Sequence, residues 1–255
     1  MELFDTHAHY DDEAFDADRD AVLSALPEAG VSLVLDPGCD LPSSQRAAAL
    51  AETYPHVYAA VGVHPEHCAG FGEAALSALR QLAERPRVIA IGEIGLDYYW
   101  EQNPPREIQR QAFRAQLALA RELDLPVIVH DREAHGDTLD ILREFPAVRG
   151  VLHCFSGSPE MARALAERGW YFGFDGPVTY KNARKSLEAA AAVPRDRLLL
   201  ETDSPYLSPV PLRGRRNDSR SLPYIAQRLA EVLDMEPEAL AALCLENGKR
   251  LFGLK

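Results

Sequence analysis

Short apolar runs alternate along the chain with longer amphipathic ones. The short runs predict strands at 2–9, 32–37, 57–64, 88–96, 126–130, 150–155, 170–174 and 198–203. Between them, apolar residues recur every three to four positions and predict helices over 18–26, 42–54, 73–84, 106–123, 134–144, 159–168 and 182–192. Two more, 222–233 and 237–244, follow the last strand. Ser43 and Ser158 suit helix N-caps, Pro159 a first helical position, and Gly30 and Gly169 helix stops. Eight strands alternating with helices predict a parallel sheet, and closure into one (β/α)8 TIM barrel over residues 1–255 is the economical solution. An open doubly wound sheet would carry a Gly-rich turn after its first strand, where this chain has His7-Ala8-His9.

Composition narrows the class. With 47% hydrophobic and 26% charged residues the chain reads as an ordinary globular enzyme. No apolar run reaches the roughly 18 residues of a membrane span, and acidic and histidine residues occupy the start, so a cytoplasmic protein is expected. Cys39, Cys68, Cys154 and Cys244 are too scattered for a zinc knuckle or disulfide framework. A net charge of −12 argues against broad nucleic-acid binding by the whole surface, though not against a local anion site.

The chemistry gathers at the predicted strand ends, where barrel active sites lie. Strand one ends in His7 and His9, two residues apart and therefore on one face. His64 ends strand three, Glu93 lies in strand four, His130 and His153 end strands five and six, and Asp203 ends strand eight. Imidazole and carboxylate at six strand ends point to metal. Asp5 and Glu201 share parity with His7 and Asp203 one layer deeper, where they are expected to orient the ligands through hydrogen bonds. His56, His67 and His135 fall in loops or at a helix start and read as surface residues. The four lysines, Lys181, Lys185, Lys249 and Lys255, all lie outside the first seven strands, so a lysine bridge between metals on strand four is not available. Glu93 holds that position instead.

These residues resemble the TatD-like metal-dependent hydrolases over nearly the whole chain. The resemblance rests on Asp5-Thr6-His7-Ala8-His9, Gly62-Val63-His64-Pro65, Gly92-Glu93-Ile94-Gly95-Leu96-Asp97-Tyr98-Tyr99 and His153-Cys154-Phe155-Ser156-Gly157. It continues through Glu201-Thr202-Asp203-Ser204-Pro205-Tyr206-Leu207 and Glu246-Asn247-Gly248-Lys249-Arg250-Leu251-Phe252. It implies a TIM barrel with two divalent ions that hydrolyses phosphodiesters, commonly as a deoxyribonuclease of 3′–5′ exonuclease type. By position it implies His7, His9, Glu93 and Asp203 on one ion, and Glu93, His130 and His153 on the other. Nitrogen and oxygen ligands suit zinc, manganese, nickel or iron, and magnesium is common in family assays. Two such ions activate water and clamp a phosphoryl oxygen, and Asp203 is placed to accept the proton.

DNA or another phosphodiester is the expected partner, with no membrane and no obligate protein partner. Arg213, Arg215, Arg216 and Arg220 form the densest basic cluster of this acidic chain, and Arg215 with His64 is expected to contact substrate. Tyr98, Tyr99 and Trp100 suit either packing or stacking on a nucleobase. The competing activity is amide or ester hydrolysis on the same two-metal site, such as removal of a D-amino acid from tRNA. A non-catalytic metal-binding scaffold would give no reason for a bridging acid beside a base.

Overall fold

The computed structural model describes residues 1–255. Its strands are β1 (Leu3–Asp5), β2 (Val31–Pro37), β3 (Val57–Val61), β4 (Val88–Asp97), β5 (Val127–Arg132), β6 (Gly150–Leu152), β7 (Tyr171–Phe174) and β8 (Leu198–Leu200). Its helices are α1 (Arg19–Ala25), α2 (Leu41–Thr53), α3 (Glu73–Ala83), α4 (Arg106–Leu123), α5 (His135–Glu144), α6 (Pro159–Ala166), α7 (Arg184–Ala192), α8 (Leu222–Leu233) and α9 (Pro237–Phe252). The strands follow one another in sheet order β1 to β8, their pairings are parallel, and helices separate them. This is the (β/α)8 arrangement the pattern predicts. No helix is long and apolar enough to cross a membrane.

Two compact units make up the chain. One comprises Met1–Asp36 with His153–Lys255, the other Pro37–Leu152. In the first, β7 pairs with β8 and β1 with β2, and the Thr6 amide donates to the Leu200 carbonyl at 3.1 Å, tying the end of β1 to β8. Trp170, Phe172 and Phe174 are buried in its core, where burying a large side chain is worth about 1.5–3 kcal/mol. Helix α9 covers β1, with Phe252 edge-on to Phe4 at 6.0 Å. It runs to Phe252, well past the expected end at 244. The polar run Glu246-Asn247-Gly248 hid the continuation. Asn247 is buried and donates to the carbonyls of Arg195 and Leu198, and Gly248 meets Phe4 where a side chain would clash.

In the second unit β3, β4, β5 and β6 pair in sequence. Helix α4 buries Ala112, Phe113, Leu117 and Ala120 at helical spacing. Two buried glutamines of the same helix clamp strand ends. Gln116 accepts from the Val63 amide at 2.7 Å and donates to its carbonyl at 3.0 Å. Gln109 does the same for Asp97, at 2.8 and 2.9 Å. These clamps fix the backbone next to His64 and below the loop after β4.

Some expectations shift in detail. The α2 cap is Asp40, which accepts the Ser43 amide at 2.7 Å, while Ser43 reciprocates from inside the helix. Ser158 caps α6, and Gly30 and Gly169 take the left-handed conformations of helix stops. Several strands end sooner than their apolar runs. β1 stops at Asp5, β3 at Val61, β6 at Leu152 and β8 at Leu200. His7, His9, His64, His153 and Asp203 therefore stand just beyond the ladders. There the backbone groups turn to different neighbours: the Ala8 amide to Leu35, the His9 amide to Ser204 and the Asp203 amide to His7.

Candidate metal centre

Three imidazoles gather on one carboxylate in the first unit. His7 and His9 bring their Nε2 atoms to 3.0 Å, and Asp203 Oδ1 lies 3.5 Å from His7 Nε2 and 3.4 Å from His9 Nε2. His153 stacks on His7, with ring centroids 4.0 Å apart and planes 10° from parallel. All three histidines are buried. A left-handed turn at Asp203 (φ 54°) aims its carboxylate at them. Burial by itself would raise the Asp203 carboxyl, but the hydrogen bond from His9 and the charges of His7 and His153 outweigh it and hold the group below its ordinary range. Asp203 is thus a carboxylate at neutral pH.

The acids beneath bind backbone amides. Asp5 accepts from the amides of Thr202 and His7, at 3.0 and 3.3 Å, and from the Thr202 hydroxyl at 2.6 Å. It fixes backbone on both sides of the ligands rather than an imidazole. Its burial pushes the pKa up to about 6 despite those bonds. Glu201 accepts from the Cys154 amide at 2.6 Å and lies 3.8 Å from His153 Nδ1. Gly173 leaves the room that the Glu201 carboxylate fills. Cys154 bends at φ 42° for that contact, and burial keeps its thiol protonated.

The second unit carries its own group. His130 sets Nδ1 2.9 Å from Glu93 Oε1 and Nε2 3.1 Å from Asp97 Oδ2. His64 places Nε2 3.6 Å from the same Glu93 oxygen, its ring 4.3 Å from that of His130. His64 Nδ1 accepts the Glu66 amide at 3.2 Å, which leaves Nε2 to face Glu93. Burial opposes the charged imidazole of His130, but the two carboxylates overcome it and raise its pKa to about 10. The glycines around Glu93 serve close approach. Gly95 (φ 148°) packs on the His130 carbonyl and Gly92 on Ile128, and neither site admits a Cβ.

Both groups fit a divalent cation. Each gathers buried or half-buried imidazole nitrogens and carboxylate oxygens, the donor set of zinc, manganese, nickel or iron. Three acids beside these groups escape a reading of the sequence. In the second unit Asp97 backs His130, and its parity with Glu93 and Gly95 along β4 was the available signal. In the first unit Asp11 and Asp36 lie with His9, an oxygen of each and a ring nitrogen within 4.8 Å of one another. Asp36 sits near the C-terminal end of β2, a strand end that the sequence reading passes over.

The arginine cluster divides. Arg216 grips Asp18 through two 2.7 Å bonds, Arg220 pairs with Asp218, and Arg213 stacks over Tyr180 at 4.2 Å. Arg215 is exposed and forms no ion pair, while its carbonyl is anchored by the Ser208 hydroxyl at 2.6 Å.

The chain is similar to known proteins over nearly its whole length. A model of the TatD-related DNase family matches residues 4–253. An uncharacterized metal-dependent hydrolase of Bacillus subtilis, YabD, is 43% identical over 252 residues, 98% of each chain. The 3′–5′ ssDNA/RNA exonuclease TatD of Erwinia tasmaniensis is 41% identical, covering 99% of this chain and all of its own. Among solved structures, the TatD homologue YjjV of Escherichia coli K12 superposes with a TM-score of 0.93 at 33% identity, over 99% of this chain and 98% of that one.

Proposed function

The chain belongs to the TatD-related DNase family and is a metal-dependent hydrolase, and we propose that it cleaves phosphodiesters of single-stranded DNA or RNA from the 3′ end. The observation that carries this is the meeting of His7, His9 and His153 on an ionised, half-buried Asp203. The naming of a 41% identical relative as a 3′–5′ ssDNA/RNA exonuclease supports the substrate class.

In this reading, which regroups the ligand sets that the resemblance implies and moves His64 from a substrate contact to a ligand, His7, His9, His153 and Asp203 hold one ion, and Glu93 with His130 and His64 holds another. When bound, such ions polarise a phosphoryl oxygen and lower the pKa of water. The remaining steps belong to the protein. Asp203, held as a carboxylate, accepts the proton of the attacking water. Asp5 and Glu201 hold the ligand backbone so that little reorganisation accompanies the reaction. Asp97 keeps His130 in one tautomer and orientation. Arg215 supplies a guanidinium fork for a neighbouring phosphate.

The test is hydrolysis by metal-reconstituted protein of single-stranded DNA, RNA, a generic phosphodiester and D-aminoacyl-tRNA. Cleavage of DNA or RNA from the 3′ end, lost in Glu93→Ala and Asp203→Ala, is expected, together with about two equivalents of metal by elemental analysis. Nuclease activity that survives both substitutions is contamination and defeats the reading. Deacylation of the tRNA ester without phosphodiester cleavage would move the substrate to the competing class.

A further inference from the structure

The loop after β4 exposes two large aromatic side chains side by side. Tyr99 is 50% exposed and Trp100 42%, and their rings meet edge to face with centroids 4.7 Å apart. Tyr98, in the same run, braces the fold. Its hydroxyl donates to Asp137 at 2.6 Å and Arg106 stacks on its ring at 4.3 Å. Tyr99 and Trp100 have no such place in the core. Arg132, the last residue of β5, lies 4.0 Å from the Tyr99 ring centroid and 5.2 Å from that of Trp100.

This group is tied to the reaction centre by one carboxylate. Asp97 Oδ1 accepts the Tyr99 amide at 3.0 Å, while Oδ2 faces His130 Nε2 at 3.1 Å. The β4–β5 ladder sets Asp97 beside Arg132, and the Tyr98 amide donates to the Arg132 carbonyl at 2.9 Å. The backbone of the aromatic pair and the proposed ligand His130 are thus linked through a single side chain.

We propose that Tyr99, Trp100 and Arg132 form a subsite for a nucleobase of the single-stranded substrate, adjacent to the phosphate being cleaved; this rests on the nuclease reading above. An aromatic face accepts any of the four bases, so the subsite serves an enzyme that works along a strand without reading it. The Arg132 guanidinium adds attraction to the base's π-face and to the following phosphate. In a chain of net charge −12, a fixed arginine on an exposed aromatic pair is local complementarity to an anionic strand of stacked rings.

Intrinsic fluorescence makes the subsite visible. The chain has two tryptophans, and Trp170 is fully buried, so Trp100 reports on ligands at the surface. The probes are two phosphorothioate oligonucleotides of equal length, one of thymidine and one of abasic tetrahydrofuran units. The thymidine strand is expected to quench wild-type holoenzyme emission more strongly than the abasic strand, and Trp100→Phe to remove the signal. With the corresponding cleavable strands, Trp100→Ala and Tyr99→Ala are each expected to reduce the kcat/KM ratio of thymidine to abasic substrate by about fivefold to a hundredfold. Trp100→Phe restores most of that ratio. Equal quenching by the two strands, or an unchanged ratio in both alanine variants, overturns the subsite. Failure of the wild type to cleave any phosphodiester overturns the nuclease reading itself, a separate and distinguishable result.

Discussion

Asp97 holds His130 from behind: its Oδ2 lies 3.1 Å from Nε2, on the side of the ring opposite the Nδ1 that faces Glu93. An imidazole that gives one nitrogen to a metal commonly donates the other to a carboxylate, which fixes its tautomer and raises its basicity. Asp97→Asn keeps the shape but weakens that acceptor. We expect metal affinity in the Glu93 group to fall about 10- to 100-fold, with the overall fold retained. Competition with a graded chelator, followed by elemental analysis, measures it. Unchanged affinity would mean that Asp97 serves only the Tyr99 backbone.

Much of this arrangement was legible in the chain because a barrel converts sequence position into depth. Apolar runs marked the strands, and the polar residue ending each run marked His7, His9, His130, His153 and Asp203. Asp36 escaped because Val31–Pro37 reads as an apolar strand with one acid before a proline, as a turn residue would. Asp97 stood within a recognised motif but lay four residues past Glu93, and only the packing of β4 on β5 sets it against His130. The roles of Asp5 and Glu201 depend on bonds to Thr202 and Cys154, partners that strand parity does not supply.

The basic loop after β8 separates a binding arginine from structural ones. Arg216 is committed to Asp18 and to the face of Phe15, at 4.5 Å, and the ion pair holds the Asp18 carboxyl below its usual range. Arg215 forms no ion pair. Arg215→Ala is expected to raise KM for single-stranded DNA severalfold and to lower the slope of log affinity against log salt by about 1. Arg216→Ala should lower the melting temperature slightly and leave that slope alone. Equal salt slopes in Arg215→Ala and wild type would remove Arg215 from the substrate path.

Gly95 lies where β4 and β5 approach closely beside the Glu93 group. Its φ of 148° and its packing on the His130 carbonyl leave no space for a side chain. Gly95→Ala must push β5 away or twist β4, and both carry ligands. The cost is expected to be about 1–3 kcal/mol, seen as a lower melting temperature, with loss of metal from the Glu93 group exceeding loss from the Asp203 group. Gly136→Ala is the control, since a Cβ there meets nothing within 4 Å.

Asp36 gives a pH-dependent prediction with a definite sign. The residue is fully buried, no N–H or hydroxyl donor reaches either of its oxygens, and Asp11 adds like charge. Burial first, and Asp11 second, raise its pKa well above the ordinary carboxyl range. A carboxyl raised on folding binds its proton more tightly in the native state than in the unfolded one. Its contribution to stability is fully present below the unfolded pKa and is lost as pH rises toward the folded pKa. In metal-free protein, Asp36→Asn removes that loss, because the amide carries no charge at any of these pH values and can donate to Asp11. The variant is expected to be more stable than wild type at pH 8 by about 0.5–2 kcal/mol, with the difference shrinking as pH falls to about 4. Thermal unfolding in the presence of a chelator at both pH values measures it. A variant less stable than wild type at pH 8 would show that the Asp36 carboxylate is already charged in the metal-free native protein and stabilised by the positive groups facing it, His9 and Arg19.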